Sequence, residues 1–263
     1  MRAPISSQTP DDLHEWLAER GHRPYRAGQI LQWVHQNHAA DWSSMTNLAS
    51  PLWLGLARTF EFSTVELAQK QGSNDTTQKF LWKLRDGQFV ESVLIPASPA
   101  LYGEASDRHT LCVSTQVGCA YGCTFCASGL EGFKRNLVPA EIIDQVLATE
   151  RWYKEQGGEG ERIINNLVVM GMGEPLANYD NLLDALEILN ADWGANIGAR
   201  KITISTSGLV PQIKKLADQP RQYRLAISLH GATDEVRDRI MPINRKYPLA
   251  DLAAAGEEYQ QAK

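Results

Sequence analysis

The sequence predicts an α/β chain: a partial (β/α) barrel preceded by a small helical domain and a β-hairpin. Three observations carry that prediction. Helix-period apolar patterns fill the first sixty residues, an Asp-Gly pair separates two apolar runs near residue 86, and four later β-branched runs each lead into a longer helical stretch. The expected division is 1–70 for the helical accessory domain, 71–104 for the hairpin and its linker, and 105–263 for the N-terminal part of the barrel.

The first helix is expected over 11–20, where Leu13, Trp16 and Leu17 share a face and Asp12 precedes Glu15 in a capping-box-like start. The second is expected over 27–36 from Ile30, Leu31, Trp33 and Val34. The third spans 50–60, with Pro51 suited to the first turn and Leu52, Trp53, Leu56 and Ala57 on the apolar face. Four of the seven tryptophans fall in this region at helix-face spacing, which reads as core rather than as a base-stacking surface.

Runs at 80–84 and 89–95 flank Arg85-Asp86-Gly87-Gln88 and form the hairpin, and 97–108 reads as loop. Strands are expected at 111–116, 166–171, 201–206 and 224–229, and helices near 139–155, 179–190, 210–217 and 248–262. Each strand runs into a cluster of small or polar residues: Gly118 to Cys126, Gly171 to Pro175, Ser205 to Gly208, and Ser228 to Gly231. Parallel βα units bind ligands at the carboxyl ends of their strands, so the four clusters belong on one face as a candidate site.

Composition narrows the function classes. The net charge of −5, from 26 basic and 31 acidic residues, gives no global basic field, although local patches remain at Arg20, Arg23 and Arg26 and at Arg237, Arg239, Arg245 and Lys246. The N-terminal residues lack a secretory apolar stretch and no run is long enough to span a membrane, so a cytoplasmic protein is expected. Four cysteines are too few for a disulfide scaffold, and three crowd into eight residues as Cys119, Cys123 and Cys126, which argues for a metal site. Three thiolates suit a four-iron cluster with one open iron. A closed zinc site would need Cys112 as fourth ligand, so the spacing leaves both readings standing. His14, His22, His35, His38 and His109 form no metal spacing.

The C-x3-C-x2-C loop after a first barrel strand, with Phe125 before its last cysteine, resembles the radical S-adenosylmethionine superfamily. Met172-Gly173-Glu174-Pro175 is similar to that superfamily's glycine-rich element. The segments Pro24-Tyr25-Arg26-Ala27-Gly28-Gln29-Ile30, Met45-Thr46-Asn47-Leu48, Gln116-Val117-Gly118-Cys119, Ser205-Thr206-Ser207-Gly208 and Met241-Pro242-Ile243-Asn244-Arg245-Lys246-Tyr247-Pro248 resemble the RNA adenine carbon-2 methyltransferases.

The resemblance implies a radical S-adenosylmethionine partial barrel, one 4Fe-4S cluster on Cys119, Cys123 and Cys126, and S-adenosylmethionine held by Gly173, Glu174, Ser205, Ser228, Leu229 and His230. The Glu174 carboxylate suits the methionine ammonium group, and Leu229 contributes through its backbone. It implies methylation of adenine in 23S rRNA and tRNA through a methyl-cysteine, with Glu91 accepting the proton from carbon-2 and Cys112 releasing the product. An electron donor such as flavodoxin supplies reducing power. The family's methyl-carrying cysteine lies in a C-terminal segment beyond Lys263, so the chain is expected to be an incomplete copy that binds cluster and cofactor without turning over RNA. Two other readings are a carbon-8 rRNA adenine methyltransferase relative and a non-catalytic zinc-binding RNA module.

Overall fold

A computed structural model describes residues 2–73, 77–97, 108–160 and 162–263. The loop expected over 97–108 falls almost wholly outside them. Three helices open the chain: α1 (Pro10–Ala18), α2 (Arg26–His35) and α3 (Ser50–Thr59). Strands β1 (Ala3–Pro4) and β2 (Phe60–Glu61) pair in parallel and bring the two ends of this segment together.

The cap of α1 differs from the expected one. Thr9 Oγ1 accepts the Asp12 N–H at 3.2 Å while the Asp12 carboxylate accepts the Thr9 N–H at 2.8 Å. Asp12 is thus the third residue of the helix and Pro10 its first, a turn that needs no N–H from proline. Trp16 is buried and its indole N–H donates to Thr59 Oγ1 at 3.2 Å; Trp33 is half-buried and donates to Asn47 Oδ1.

The hairpin is part of a larger meander. Strand β3 (Val65–Gln71) pairs antiparallel with β4 (Gln78–Leu84), which pairs antiparallel with β5 (Phe89–Pro96) across a turn where Gly87 takes φ +81°. The sequence reading missed β3 because Glu66 to Lys70 lacks alternation. It is an edge strand with little buried surface to impose a pattern.

The strand expected at 111–116 is split in two: β6 (His109–Cys112) and β7 (Gln116–Val117). Between them the N–H groups of Thr115 and Gln116 both turn to the Met172 carbonyl, which peels the chain off the sheet. Strand β7 pairs antiparallel with β8 (Arg135–Asn136), so the cysteine loop is closed at its base by its own two-stranded ladder.

Strands β9 (Asn166–Val169), β10 (Ile202–Thr206) and β11 (Arg224–Ile227) complete one seven-stranded sheet in the order β11-β10-β9-β6-β5-β4-β3. The four strands from β11 to β6 are parallel, as the βα alternation requires, and β6 also pairs antiparallel with β5. The connecting helices are α4 (Pro139–Glu155), α5 (Tyr179–Asn190) and α6 (Val210–Ala217), followed by α7 (Asp234–Ile240) and α8 (Leu249–Ala262). Helix α7, seven residues long, was not expected from sequence.

Leu111, Leu167, Val169, Ile202 and Ile204 are buried with Ile142, Ile143, Val146, Leu186, Ile213 and Leu216 of the helices in one core. Alternate residues Cys112, Val168, Thr203 and Ser205 lie on the other, half-open face of the sheet.

One buried carboxylate ties α4 to the start of this sheet. Asp144 Oδ2 accepts from Thr64 N–H at 2.7 Å and from Thr64 Oγ1 at 2.6 Å. Burial raises the Asp144 carboxyl above its ordinary range, opposed by the charge of Arg151 and the Thr64 donors. Asp144→Ala strands both Thr64 donors and leaves Arg151 buried without this carboxylate. A loss of about 3 kcal/mol in urea unfolding is expected, with a smaller loss for Asp144→Asn.

Candidate functional site

The three-cysteine loop runs from β7 to β8 and is pinned at both ends. At its start Gly118 takes φ +72°, and a Cβ built there would penetrate the Gly132 carbonyl oxygen across the loop neck. At its end Arg135 makes a bidentate pair with Glu141 of α4 at 2.7 and 2.8 Å and donates to Asp86 of the hairpin turn at 2.6 Å. Midway, the Thr124 N–H donates to the Ile240 carbonyl at the end of α7. Gly118→Ala is therefore expected to cost both strain and a backbone shift at the neck. Iron uptake by the purified variant should fall several-fold, while far-ultraviolet circular dichroism stays close to wild type.

Cys119, Cys123 and Cys126 line a cleft of about 260 Å³ together with Gly173, Glu174, Ser205, Ser228 and His230. The loops after β6, β9, β10 and β11 thus meet at one mouth, as the strand-end clusters required. Burial raises the Cys119 thiol above its ordinary range, and burial, aided by the neighbouring cysteines and Glu174, pushes Cys123 up to about 11. Arg237 is the cation that couples to Cys123, and burial still outweighs it, so the thiols favour the protonated form until a ligand recruits them. Among the described residues, no three His, Cys, Asp or Glu side chains converge closely enough to hold a single metal ion.

Glu174 reaches the cleft but does not stand free. Its Oε2 accepts from the Ser207 N–H and Ser207 Oγ, both at 2.7 Å, and its Oε1 accepts from the Leu176 N–H at 3.1 Å. The carboxylate latches the loop after β9 to the loop after β10, and the Thr206 hydroxyl hydrogen-bonds it as well. Burial raises its pKa, against the hydrogen bonds from Ser207. Gly173, at φ +101°, packs on the Gln116 side chain, whose Oε1 accepts the Glu174 N–H at 2.9 Å.

On the opposite wall Ser205 Oγ and Ser228 Oγ are 3.2 Å apart. His230 adopts φ +51° and sets its ring against Phe125 of the cysteine loop, with centroids 4.5 Å apart. Leu229 does not line the cleft. Its side chain is exposed and its carbonyl accepts from Gly231 N–H and from Arg237, so only its N–H is left to serve a ligand.

Glu91 and Cys112 sit apart from this cleft. Glu91, on β5, lines a neighbouring cavity of about 490 Å³ with Phe89, Gly118, Lys134 and Met172, and pairs with Lys79 of β4 at 2.8 Å. Cys112 lies on the half-open sheet face, where burial pushes its thiol up to about 11 against a hydrogen bond from the Met170 backbone. It is not grouped with the three loop cysteines, as a four-cysteine zinc site would require.

Sequence reasoning missed Ser207, Phe125 and Arg237. The first two lie within the motifs that were read, but the latch and ring contact are tertiary. Arg237 was grouped with a cationic edge, yet it is wholly buried in α7; Arg239, Arg245 and Lys246 are exposed as expected. Helical spacing places Arg237 opposite Arg239, and the missed helix hid that difference.

The sequence profile of the Radical SAM superfamily matches residues 113–262, and that of the ribosomal RNA large subunit methyltransferase N-terminal domain matches residues 5–61. A probable dual-specificity RNA methyltransferase RlmN of Akkermansia muciniphila is 54% identical over 259 residues, spanning 98% of this chain and 70% of the relative. A probable dual-specificity RNA methyltransferase RlmN 3 of Opitutus terrae is 50% identical over 268 residues, spanning 99% and 70%. The crystal structure of a radical SAM methyltransferase from Sphaerobacter thermophilus matches with a TM-score of 0.89 at 41% identity, covering 99% of this chain and 73% of that one.

Proposed function

Since the chain belongs to the RlmN family of radical S-adenosylmethionine RNA methyltransferases, we propose that its site serves methylation of adenine carbon-2 in 23S rRNA and tRNA. The observation that carries this reading is the meeting of the three-cysteine loop with the ends of β9, β10 and β11 in one cleft. Carbon-2 of adenine is a weakly nucleophilic aromatic carbon, beyond the reach of ordinary methyl displacement. A 4Fe-4S cluster and S-adenosylmethionine, when bound, supply the radical chemistry that such a carbon accepts.

The donor set fits that pair of groups. Three thiols on one loop, without a fourth cysteine beside them, suit separate irons that each take one thiolate and leave one iron for a ligand. Cys119, Cys123 and Cys126 would hold the cluster. Gly173, Glu174, Ser205, Ser228 and His230, with the Leu229 N–H, would hold S-adenosylmethionine.

Glu91 is the proposed proton acceptor for carbon-2, and its place in the cavity next to the cysteine loop suits a base entering from that side. Its carboxylate is oriented by the ion pair with Lys79 at 2.8 Å. Cys112 is the proposed releasing thiol; burial keeps it protonated at neutral pH until a base removes the proton. Those roles occupy all four cysteines of this sequence, so a methyl-carrying cysteine is not among them.

The helical region 1–70 is the proposed accessory RNA-binding domain, with 71–104 the hairpin and linker and 105–263 the barrel part. Exposed Arg23 is available to phosphates there, while Arg20 is held by Glu19 and Trp16. A flavodoxin-like donor and a cytoplasmic setting complete the proposal. Among the described residues, no helix is long and apolar enough to cross a membrane.

Anaerobic reconstitution tests the reading directly. About four irons per chain, with an electron paramagnetic resonance spectrum of the reduced protein altered by S-adenosylmethionine, are expected. Zinc without iron would overturn it in favour of a binding module. In RNA treated with the loaded protein, a methyl group found at carbon-8 would overturn the carbon-2 assignment.

A further inference from the structure

Arg237 is a buried cation whose immediate partners are neutral. Its Nη1 donates to the carbonyls of Ser228, at 3.0 Å, and Leu229; its Nη2 donates to the Ser207 carbonyl at 2.9 Å, and its Nε to Asn244 Oδ1 at 2.8 Å. Asn244, also buried, donates in turn to Asp234 Oδ1 at 2.9 Å and Asp238 Oδ1 at 2.8 Å. Asp234 acts on the guanidinium by charge but hydrogen-bonds it only through the Asn244 amide, while three backbone carbonyls take its protons directly.

A buried guanidinium is costly unless its donors are satisfied, so these carbonyls are held where the fork requires them. They belong to the loops after β10 and β11, two walls of the cleft. In a trans peptide the N–H lies opposite the preceding carbonyl, so turning the Ser228 and Leu229 carbonyls onto Arg237 turns the N–H groups of Leu229 and His230 away from it. The same geometry fits the left-handed φ of +51° at His230. Helix α7 also holds the cysteine loop, because the Ile240 carbonyl accepts the Thr124 N–H, and Met241 lines the cleft.

We propose that Arg237 is a positioning residue for S-adenosylmethionine: its guanidinium fixes the strand-end backbone so that the Leu229 and His230 N–H groups and the Ser228 and His230 side chains face the cofactor. The proposal rests on the reading of this cleft as the cofactor site. Arg237 touches no cofactor atom itself and acts through these loops.

The test uses the anaerobically reconstituted chain, with S-adenosylmethionine titrated against the electron paramagnetic resonance spectrum of the reduced cluster. Arg237→Met is expected to weaken cofactor binding about tenfold or more while iron content stays at the wild-type level. Arg237→Lys, which keeps the charge but loses the fork, should fall between the two. Asn244→Ala leaves the arginine in place without its Nε acceptor and serves if Arg237→Met fails to fold; a severalfold weakening is expected. Wild-type affinity in the Lys and Asn244 variants, with Ser228→Ala and His230→Ala weakened, would overturn the proposal. Equal loss of iron and affinity would overturn it too, since that marks a general structural role. If Ser228→Ala and His230→Ala bind S-adenosylmethionine as wild type does, the reading of the cleft itself fails, whatever the arginine variants do.

Discussion

Alanine at Cys119, Cys123 or Cys126 is expected to abolish iron binding, whereas alanine at Cys112 is expected to leave it intact. A cluster held by three thiolates has no spare protein ligand, and the loop carries no His, Asp or Glu between Cys119 and Cys126 to replace one. Iron after anaerobic reconstitution should drop from about four per chain to near zero in each loop variant, with loss of the visible charge-transfer absorbance. Cys112 stands on the sheet face outside the cleft, so its removal takes no ligand away. Metal lost equally from all four variants would instead mark a four-cysteine site and revive the zinc reading.

Acid is expected to weaken the fold through two histidines far from the cleft. His35 ends α2 and is 1% exposed; His38 follows in the left-handed region at φ +51° and is 7% exposed. Both line a cavity between the helical segment and the barrel with Glu150 and Arg162. Burial, reinforced by Arg151, drives His35 down to about 3, and burial with Lys154, Arg151 and His35 drives His38 to about 3.

The sign follows from where protons bind. The unfolded chain takes protons on both imidazoles below pH 6.5, and the folded one does not until near pH 3. Stability contributed by the neutral rings is therefore complete above 6.5 and is lost as pH falls through that window. Glu150 opposes the trend: burial raises it to about 6, so its protonation favours the folded state as pH falls toward 4.5. Between pH 7 and 5 the two imidazoles cost roughly 4 kcal/mol, of which Glu150 and the other carboxyls raised by burial, Asp144 and Glu174, return a part, so a loss of stability in urea unfolding is expected. A His35→Phe, His38→Asn chain should lose most of that slope, Asn being tolerant of the left-handed backbone at 38. An unchanged slope would show that these rings are solvated in the folded protein.

The parts of the fold legible in the sequence are those where one short-range rule decides. The helices at 139–155, 179–190 and 210–217 coincide with α4, α5 and α6 because period and core face agree. The Asp86-Gly87 turn was legible because only a left-handed glycine serves it. Strand β3 and helix α7 were not, one being an edge strand with a mostly exposed pattern, the other a seven-residue helix with little apolar periodicity.

The same division holds at the site. Strand-end position set the four clusters on one face, and the family resemblance singled out Gly173, Glu174, Ser205, Ser228 and His230 beside Cys119, Cys123 and Cys126; all eight line one cleft. What the sequence hid was who holds whom. The Glu174–Ser207 latch spans 33 residues, and the Arg237–Ser207 bond spans 30. Such pairs obey no periodicity and become visible only when the loops meet.

The seven-stranded sheet has a mechanical consequence. Strand β6 is bonded on one edge to β5, which carries Glu91, and on the other to β9, which leads into the Gly173–Glu174 turn. Shear between those two edges would rupture backbone ladders on both sides of β6, so the spacing between the two cavities is stiff along the strands. Compliance is left to the cysteine loop and the strand-end turns. On the proposed reading, an RNA entering between the two cavities would meet a rigid gauge, and bending or unstacking would fall to the nucleic acid.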